Sequence, residues 1–307
     1  MKSSLSLDNE IENRMNTQPK IAVLLASYNG MLWIEEQVES VLNQQRIDID
    51  IYISVDLSTD DTHQWCQDLA KKNINIKILP YGERFGGAAK NFFRLIREVD
   101  FSAYDYIALA DQDDVWLPNK LIHAVETIKS KKVCALSSDV VAFFQDGREL
   151  LIKKSNPQKK FDHFFESAGP GCTYVIESKA LQQFKKFLIL NWDHVNSVMF
   201  HDWIIYAYFR EHNLDWHIDA KPLIRYRRHE SNVIGPNSGF DAYKKRFFMV
   251  KSNWYRKEVA SIRMLVDPNG QSHLRLDRIF LIKNFWQLRR RPKDAVALLF
   301  MLVIGIY

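Results

Sequence analysis

A chain of 307 residues that is 47% apolar and 26% charged is neither disordered nor fibrous, and it has material for one large or two modest domains. A net charge of +5 is mild and leaves a nucleic acid, a membrane surface or an anionic substrate as possible partners. Three scattered cysteines, Cys66, Cys134 and Cys172, show no zinc-type spacing and no disulfide framework, which points to a reducing compartment.

The polar residues 1–19 lack the apolar stretch of a signal peptide and are expected to be a mobile tail. From Lys20 strands and helices alternate. "KIAVLLAS" reads as a buried strand, and Ile34, Val38, Val41 and Leu42 follow at helical spacing. "IDIYISV" is a second strand, with a helix through "DDTHQWCQDLAKK". "INIKILP" is a third, leading to a helix over "GGAAKNFFRLIREV". "YDYIALA" is a fourth strand, and Pro118 stands near the first turn of the helix after it. "KVCALSS" is a fifth. This order predicts an α/β fold with a mostly parallel sheet covered by helices on both faces. Beyond Asp139 the alternation gives way to short elements that wall the other side of a cleft.

In open α/β sheets ligands bind beyond the carboxyl ends of the strands. "SYNG", "DLSTDD" and "DQDD" all fall there, so three separated clusters converge on one rim. In "IALADQDDVWLP" the carboxylates Asp111, Asp113 and Asp114 crowd into four positions, and like charges that close need a neutralising partner. Hard oxygen donors at this spacing suit Mg²⁺ or Mn²⁺ completed by substrate phosphates. The bland alternative is a solvated acidic turn, with Asp114 capping the next helix.

The ordered segments "LLASYNG", "SVDLSTDDT", "ERFGGAAKNF", "ALADQDDVW", "GPGCTYV", "HDW" and "YRRHESNVIG" resemble the family 2 glycosyltransferases, most closely the rhamnosyltransferase-like branch that builds bacterial surface polysaccharides. The resemblance implies a GT-A domain over residues 20–235, followed by a helical C-terminal region, 236–307. It implies an inverting, metal-dependent transfer from a nucleotide-diphosphate sugar to a saccharide or lipid-linked saccharide. TDP-rhamnose is the first donor expected, with UDP-hexoses as alternatives. Tyr28 and Ala26 would line the nucleobase pocket, and Asp56 would accept from the base, although Val55 and Leu57 replace residues common in relatives. Arg84 and Asn91 would approach the nucleotide, with Gly86 and Gly87 letting the backbone come close. Asp113 would hold the metal, Asp111 the ribose or the metal's waters, and Trp116 would close the donor pocket. Asp202 would be the catalytic base, a single carboxylate facing the acceptor hydroxyl. Gly169, Gly171, His201 and Trp203 would lie on the acceptor side, and Arg228 and His229 would face the diphosphate.

"RRRPKDAVALLFMLVIGIY" ends the sequence. Its thirteen apolar residues from Ala295 would make a helix of roughly 20 Å, too short to span a bilayer core of about 30 Å. Next to its arginines, that helix is expected to rest peripherally on the inner face of the cell membrane, the rest being cytoplasmic; packing on the domain or a dimer contact is the alternative. The acidic rim argues against nucleic acid as a partner. The rival to an enzyme is an inactive nucleotide-sugar-binding scaffold or sensor.

Overall fold

The computed structural model describes residues 18–229 and 254–307. The tail expected over 1–19, except Gln18 and Pro19, and the domain boundary placed at 235/236 lie outside them. The strands are β1 (Lys20–Ser27), β2 (Asp48–Val55), β3 (Ile76–Ile78), β4 (Tyr106–Asp111), β5 (Val115–Trp116), β6 (Ala135–Ser138), β7 (Val140–Phe144), β8 (Glu149–Ile152), β9 (Val175–Glu177), β10 (Trp216–Asp219) and β11 (Ile224–Arg228). A main sheet runs in the order β10-β6-β9-β4-β1-β2-β3, and a smaller one in the order β5-β11-β7-β8. The main sheet is parallel except for β9, which runs against both β4 and β6.

Period-two side-chain placement explains why the first strand reads as a continuous apolar run. Ile21, Val23 and Leu25 enter one core, and Ala22, Leu24 and Ala26 enter the core on the opposite face. Helices cover both faces: α1 (Ile34–Leu42), α2 (Thr62–Lys72), α3 (Ala88–Glu98), α4 (Lys120–Lys131), α5 (Asp162–Phe165), α6 (Ser178–Leu190), α7 (Trp192–Val195) and α8 (His201–Glu211). Phe92, Phe93 and Ile96 of α3 seal one core, while Ile34, Val38 and Val41 of α1 join the other. The expected α/β architecture is therefore present.

Three local expectations change. The third strand shrinks to three residues because it is an edge: Ile76–Ile78 pair with Ile51–Ile53, and Ile74 is left 92% exposed. The fourth helix starts later, with Asn119 as its N-cap, so Pro118 precedes it. Asp114 does not cap that helix; β5 intervenes, and the Asp114 side chain is fully buried beneath β11.

The C-terminal region contributes α9 (Trp254–Val266), α10 (Arg278–Lys283) and α11 (Pro292–Ile304). In α11, Ala295, Leu298 and Leu302 pack on the domain, while Val296, Phe300, Val303 and Ile304 face outward. Half of the basic run before it turns inward. Arg290 is buried against Asp162 at 2.8 Å, and Arg289 bonds the Phe165 carbonyl at 3.0 Å, because carboxylates and carbonyls of the domain offer partners that lipid headgroups were expected to supply. Arg291 and Lys293 remain exposed. No helix among the described residues is long and apolar enough to cross a membrane.

Candidate active site

The register of β1, β2 and β4 sets the rim. Ala26 pairs with Ser54 on one side and with Asp111 on the other, so "SYNG", "DLSTDD" and "DQDD" emerge side by side. Gln112, which the sequence reading passed over, ties two of them together. Its Oε1 accepts from Ser27 Oγ at 2.7 Å and Tyr28 N at 2.8 Å, and its Nε2 donates to the Tyr28 carbonyl at 2.9 Å. The clamp explains Gly30, where a Cβ would stand 2.3 Å from Gln112 Oε1. Tyr28 projects from this rim, half-exposed.

Asp56 is buried, and its carboxylate receives backbone N–H bonds from Leu57, Phe85 and Gly86 at 2.8, 2.8 and 2.9 Å. It thereby fastens the loop that follows β3 to the end of β2. Gly86 sits at φ 76°, a left-handed conformation that glycine adopts readily. Asn91 is also buried, and its Nδ2 bridges the carbonyls of Ser54 at 2.9 Å and Ser27 at 3.3 Å. Arg84 is exposed and lines a cavity of about 290 Å³ with Lys90, Arg94, Arg97 and Trp192.

Around the acidic motif the structure gathers Asp111, Asp114 and Cys172, whose ligand atoms lie within 4.8 Å of one another. Burial, reinforced by Asp113 and then Asp202, pushes the Asp111 carboxyl up to about 7. Burial with Asp113 and Asp111 nearby also raises Asp114 well above the usual carboxylate range. One Asp114 oxygen, Oδ2, is buried without a hydrogen-bond partner. Carboxylates held this way take up either protons or a cation. The donor set therefore fits a divalent ion on its oxygen side, while the buried Cys172 thiol, pushed up by desolvation, is a poor ligand for Mg²⁺. Behind the cluster Lys120 lies 3.5 Å over the Trp116 ring, and burial lowers its ammonium to about 7. Trp116 is thus packed in the interior with Lys120, and it does not close a pocket.

Asp113, whose charge acts on both the Asp111 and Asp114 carboxyls, also reaches the end of β11. Its Oδ2 meets His229 Nε2 at 2.7 Å, and the His229 ring stacks on Trp33 at 4.1 Å. Arg227 adds a bond from Nε to the Asp113 carbonyl at 2.8 Å and an ion pair with Glu36. Arg228 is buried at the end of β11 with its guanidinium near the Tyr226 ring. The carbonyl of Asp113, the His229 ring and α1 are thereby drawn together, and Trp33 is a second residue the sequence reading missed.

Opposite this edge stands Asp202, in the first turn of α8 and partly buried. Desolvation pushes its carboxyl up to about 6, against the N–H of Trp203, the Ser167 side chain and the Lys154 ammonium, which favour the charged form. His201 beside it is buried, stacked on Phe92 at 4.1 Å and held neutral by burial. Gly171 is where that ring fits, since a Cβ there would be 2.3 Å from His201 Nε2. Trp203 is buried and donates from Nε1 to the His163 carbonyl at 2.9 Å, which makes it a prop for the acceptor-side segment. Because β9 is antiparallel, its start, preceded by Gly169 and Gly171, reaches the same rim as the end of β4.

Comparison with known proteins gives one consistent answer. The family described as Glycosyl transferase family 2 matches residues 22–190. The dTDP-rhamnosyl transferase RfbG of Shigella flexneri is 43% identical over 92% of this chain and all of its own length. A UDP-Glc:alpha-D-GlcNAc-diphosphoundecaprenol beta-1,3-glucosyltransferase of Escherichia coli, WfgD, is 21% identical over 52% of this chain and 61% of its own. Among solved structures, Staphylococcus aureus TarS 1–349 in complex with UDP-GlcNAc superimposes with a TM-score of 0.52 at 15% identity, covering 94% of this chain and 88% of that one. The mannosyltransferase PcManGT of Pyrobaculum calidifontis, in complex with GDP-Man and Mn²⁺, gives 0.52 at 15% identity, covering 95% and 82%.

Proposed function

This chain belongs to glycosyl transferase family 2 and is a glycosyltransferase of GT-A fold, and from that premise we propose that it transfers a sugar, rhamnose from TDP-rhamnose first among candidates, to a saccharide or lipid-linked saccharide with inversion. The donor follows from the relative named a dTDP-rhamnosyl transferase, and the lipid-linked acceptor from the one named for a diphosphoundecaprenol substrate. Residues 20–235 would form the transferase domain.

The observation that carries the mechanism is that the fold brings Asp202, at the start of α8, near enough to Asp111, at the end of β4, for its charge to help raise the Asp111 carboxyl. Asp202 would take the proton of the acceptor hydroxyl. A carboxyl near 6 is ionised at neutral pH, yet more basic than an ordinary aspartate, which suits a general base. Asp111 and Asp113 would hold a divalent cation, with Asp114 behind them, and that ion would neutralise the diphosphate as it leaves. Arg228 would add positive charge on the departing side, and His229 would face the diphosphate beside it. Tyr28, Ala26, Asp56, Arg84 and Asn91 would shape the nucleotide pocket, Asp56 and Asn91 by fixing loops.

Supported by the outward apolar face of α11, flanked by Arg291 and Lys293, the protein would rest on the inner surface of the cell membrane, where a lipid-linked acceptor is presented. The test of the central reading is release of TDP from TDP-rhamnose with and without Mn²⁺, beside UDP-glucose, UDP-N-acetylglucosamine and GDP-mannose. NMR of the product would report the anomeric configuration. The absence of turnover and of thermal stabilisation by any of the nucleotides would overturn it.

A further inference from the structure

The segment from Asp162 to Gly171 carries the acceptor-side glycines, and it is gripped from two directions. From α8, which begins with His201 and Asp202, Tyr206 OH donates to Asp162 Oδ2 at 2.9 Å and Arg210 Nη1 to Asp162 Oδ1 at 3.0 Å. From the C-terminal region, Arg290 donates from Nη1 to Asp162 Oδ2 at 2.8 Å and from Nη2 to the Ser167 carbonyl at 2.5 Å; its backbone N–H reaches Glu166 Oε1 at 2.5 Å. Arg289 bonds the Phe165 carbonyl at 3.0 Å and Tyr255 OH at 2.8 Å.

The held carbonyl is not an arbitrary one. The Ser167 hydroxyl donates to the Gly169 carbonyl at 3.1 Å, and its side chain favours the charged form of Asp202. Farther along the same segment, Tyr174 OH donates to the Asp202 carbonyl at 3.1 Å, and Gly171 leaves no slack against His201. A displacement of this segment therefore reaches Asp202 and its neighbours through Tyr174, Gly171 and His163, whose carbonyl accepts from Trp203 Nε1 at 2.9 Å. An ion pair kept only for stability would need Asp162 alone; here one guanidinium spans Asp162 and the Ser167 carbonyl of the same segment, as a rigid two-armed fork can and an ammonium cannot.

We propose that Arg290 is a positioning residue for the acceptor half of the site, setting Asp202 through the segment from Asp162 to Tyr174 without touching substrate. The inference rests on the reading of Asp202 as the base. It makes the C-terminal region part of the active-site architecture, beyond any membrane role.

The test uses the full chain and the variants Arg290→Lys, Arg290→Met, Ser167→Ala and Arg290→Lys/Ser167→Ala. Three quantities are measured: Tm, affinity for TDP with Mn²⁺ by calorimetry, and kcat for TDP release from TDP-rhamnose. Arg290→Lys is expected to fold, to bind TDP within about twofold of the parent, and to lose up to about 100-fold in kcat, the scale of a misplacement of about 1 Å. Ser167→Ala is expected to lower kcat by less, and the two substitutions together are expected to fall short of the product of their separate effects. Parental kcat in Arg290→Lys, strictly multiplicative losses, or a loss confined to TDP affinity would each overturn the proposal. If both Arg290 variants fail to fold, Ser167→Ala decides, and an unchanged kcat there refutes it. An Asp202→Asn protein with full activity would instead refute the base assignment, a separate outcome.

Discussion

Asp202→Asn separates catalysis from folding because it moves them in opposite directions. The carboxyl of Asp202 rises from 3.8 to about 6 by burial, and each pKa unit corresponds to about 1.4 kcal/mol, so the folded protein pays up to about 3 kcal/mol to keep this side chain charged at pH 7.5. Partial exposure discounts that ceiling, leaving roughly 1–3 kcal/mol. Asparagine is neutral, nearly isosteric, and retains an oxygen for the Trp203 N–H that bonds Asp202 Oδ1 at 2.8 Å. The variant is therefore expected to melt no lower than the parent, and above it near pH 7.5. Removal of a general base costs about 10²- to 10⁴-fold in rate. The assay is TDP release from TDP-rhamnose at saturating donor, paired with calorimetric melting at the same pH. An activity within tenfold of the parent, or a clear fall in Tm, would refute the reasoning: the first removes the base, and the second shows that burial does not strain the charge.

The rate should also fall as pH drops through about 6, because the base must be ionised; a flat kcat between pH 5 and 7 would contradict this. Asp111 is raised from 3.8 to about 7, so its stabilising contribution is complete below the unfolded value and lost as pH rises through 7. Metal-free Asp111→Asn should therefore melt progressively above the parent from pH 4 to 7, and Mn²⁺ should narrow the gap by stabilising the parent alone. A gap that shrinks with pH would reverse the assignment. Asp162→Ala leaves the buried Arg290 and the Arg210 guanidinium without their shared carboxylate, a loss of about 3–5 kcal/mol readable in denaturant melts. Gly30→Ala drives a methyl into Gln112, and an overpacking cost of about 1–3 kcal/mol with weaker TDP binding is expected. Phe300→Ser with Val296→Ser should abolish flotation on vesicles containing anionic lipid while leaving Tm in place; unchanged flotation would discard the membrane surface.

Much of the sheet was legible because β1, β2 and β4 are buried on both faces and so appear as unbroken apolar runs ending in polar clusters. β5 and β9 were not legible, since two or three residues carry no periodicity and their pairing is decided by long-range partners. The acidic motif could be found as residue types at a strand end, whereas Asp202 was singled out only through the family resemblance. Gln112, Trp33 and Ser167 could not, because each matters through what approaches it from elsewhere in the chain. The basic C-terminal run misled for a physical reason: charge in a sequence reads as solvent-facing, and only the fold reveals that Asp162 and Glu166 wait inside for Arg289 and Arg290.

The ion cluster at Asp162 also has a temporal side. Its guanidinium partner Arg290 lies 128 residues downstream, so a ribosome emits the carboxylate long before its counter-ion. Domains generally order from the N terminus during synthesis. The strands that carry the acidic rim can therefore order while Asp162 still lacks Arg290. A chain cut before Arg290 would carry the Asp162 carboxylate with the Tyr206 and Arg210 side chains alone.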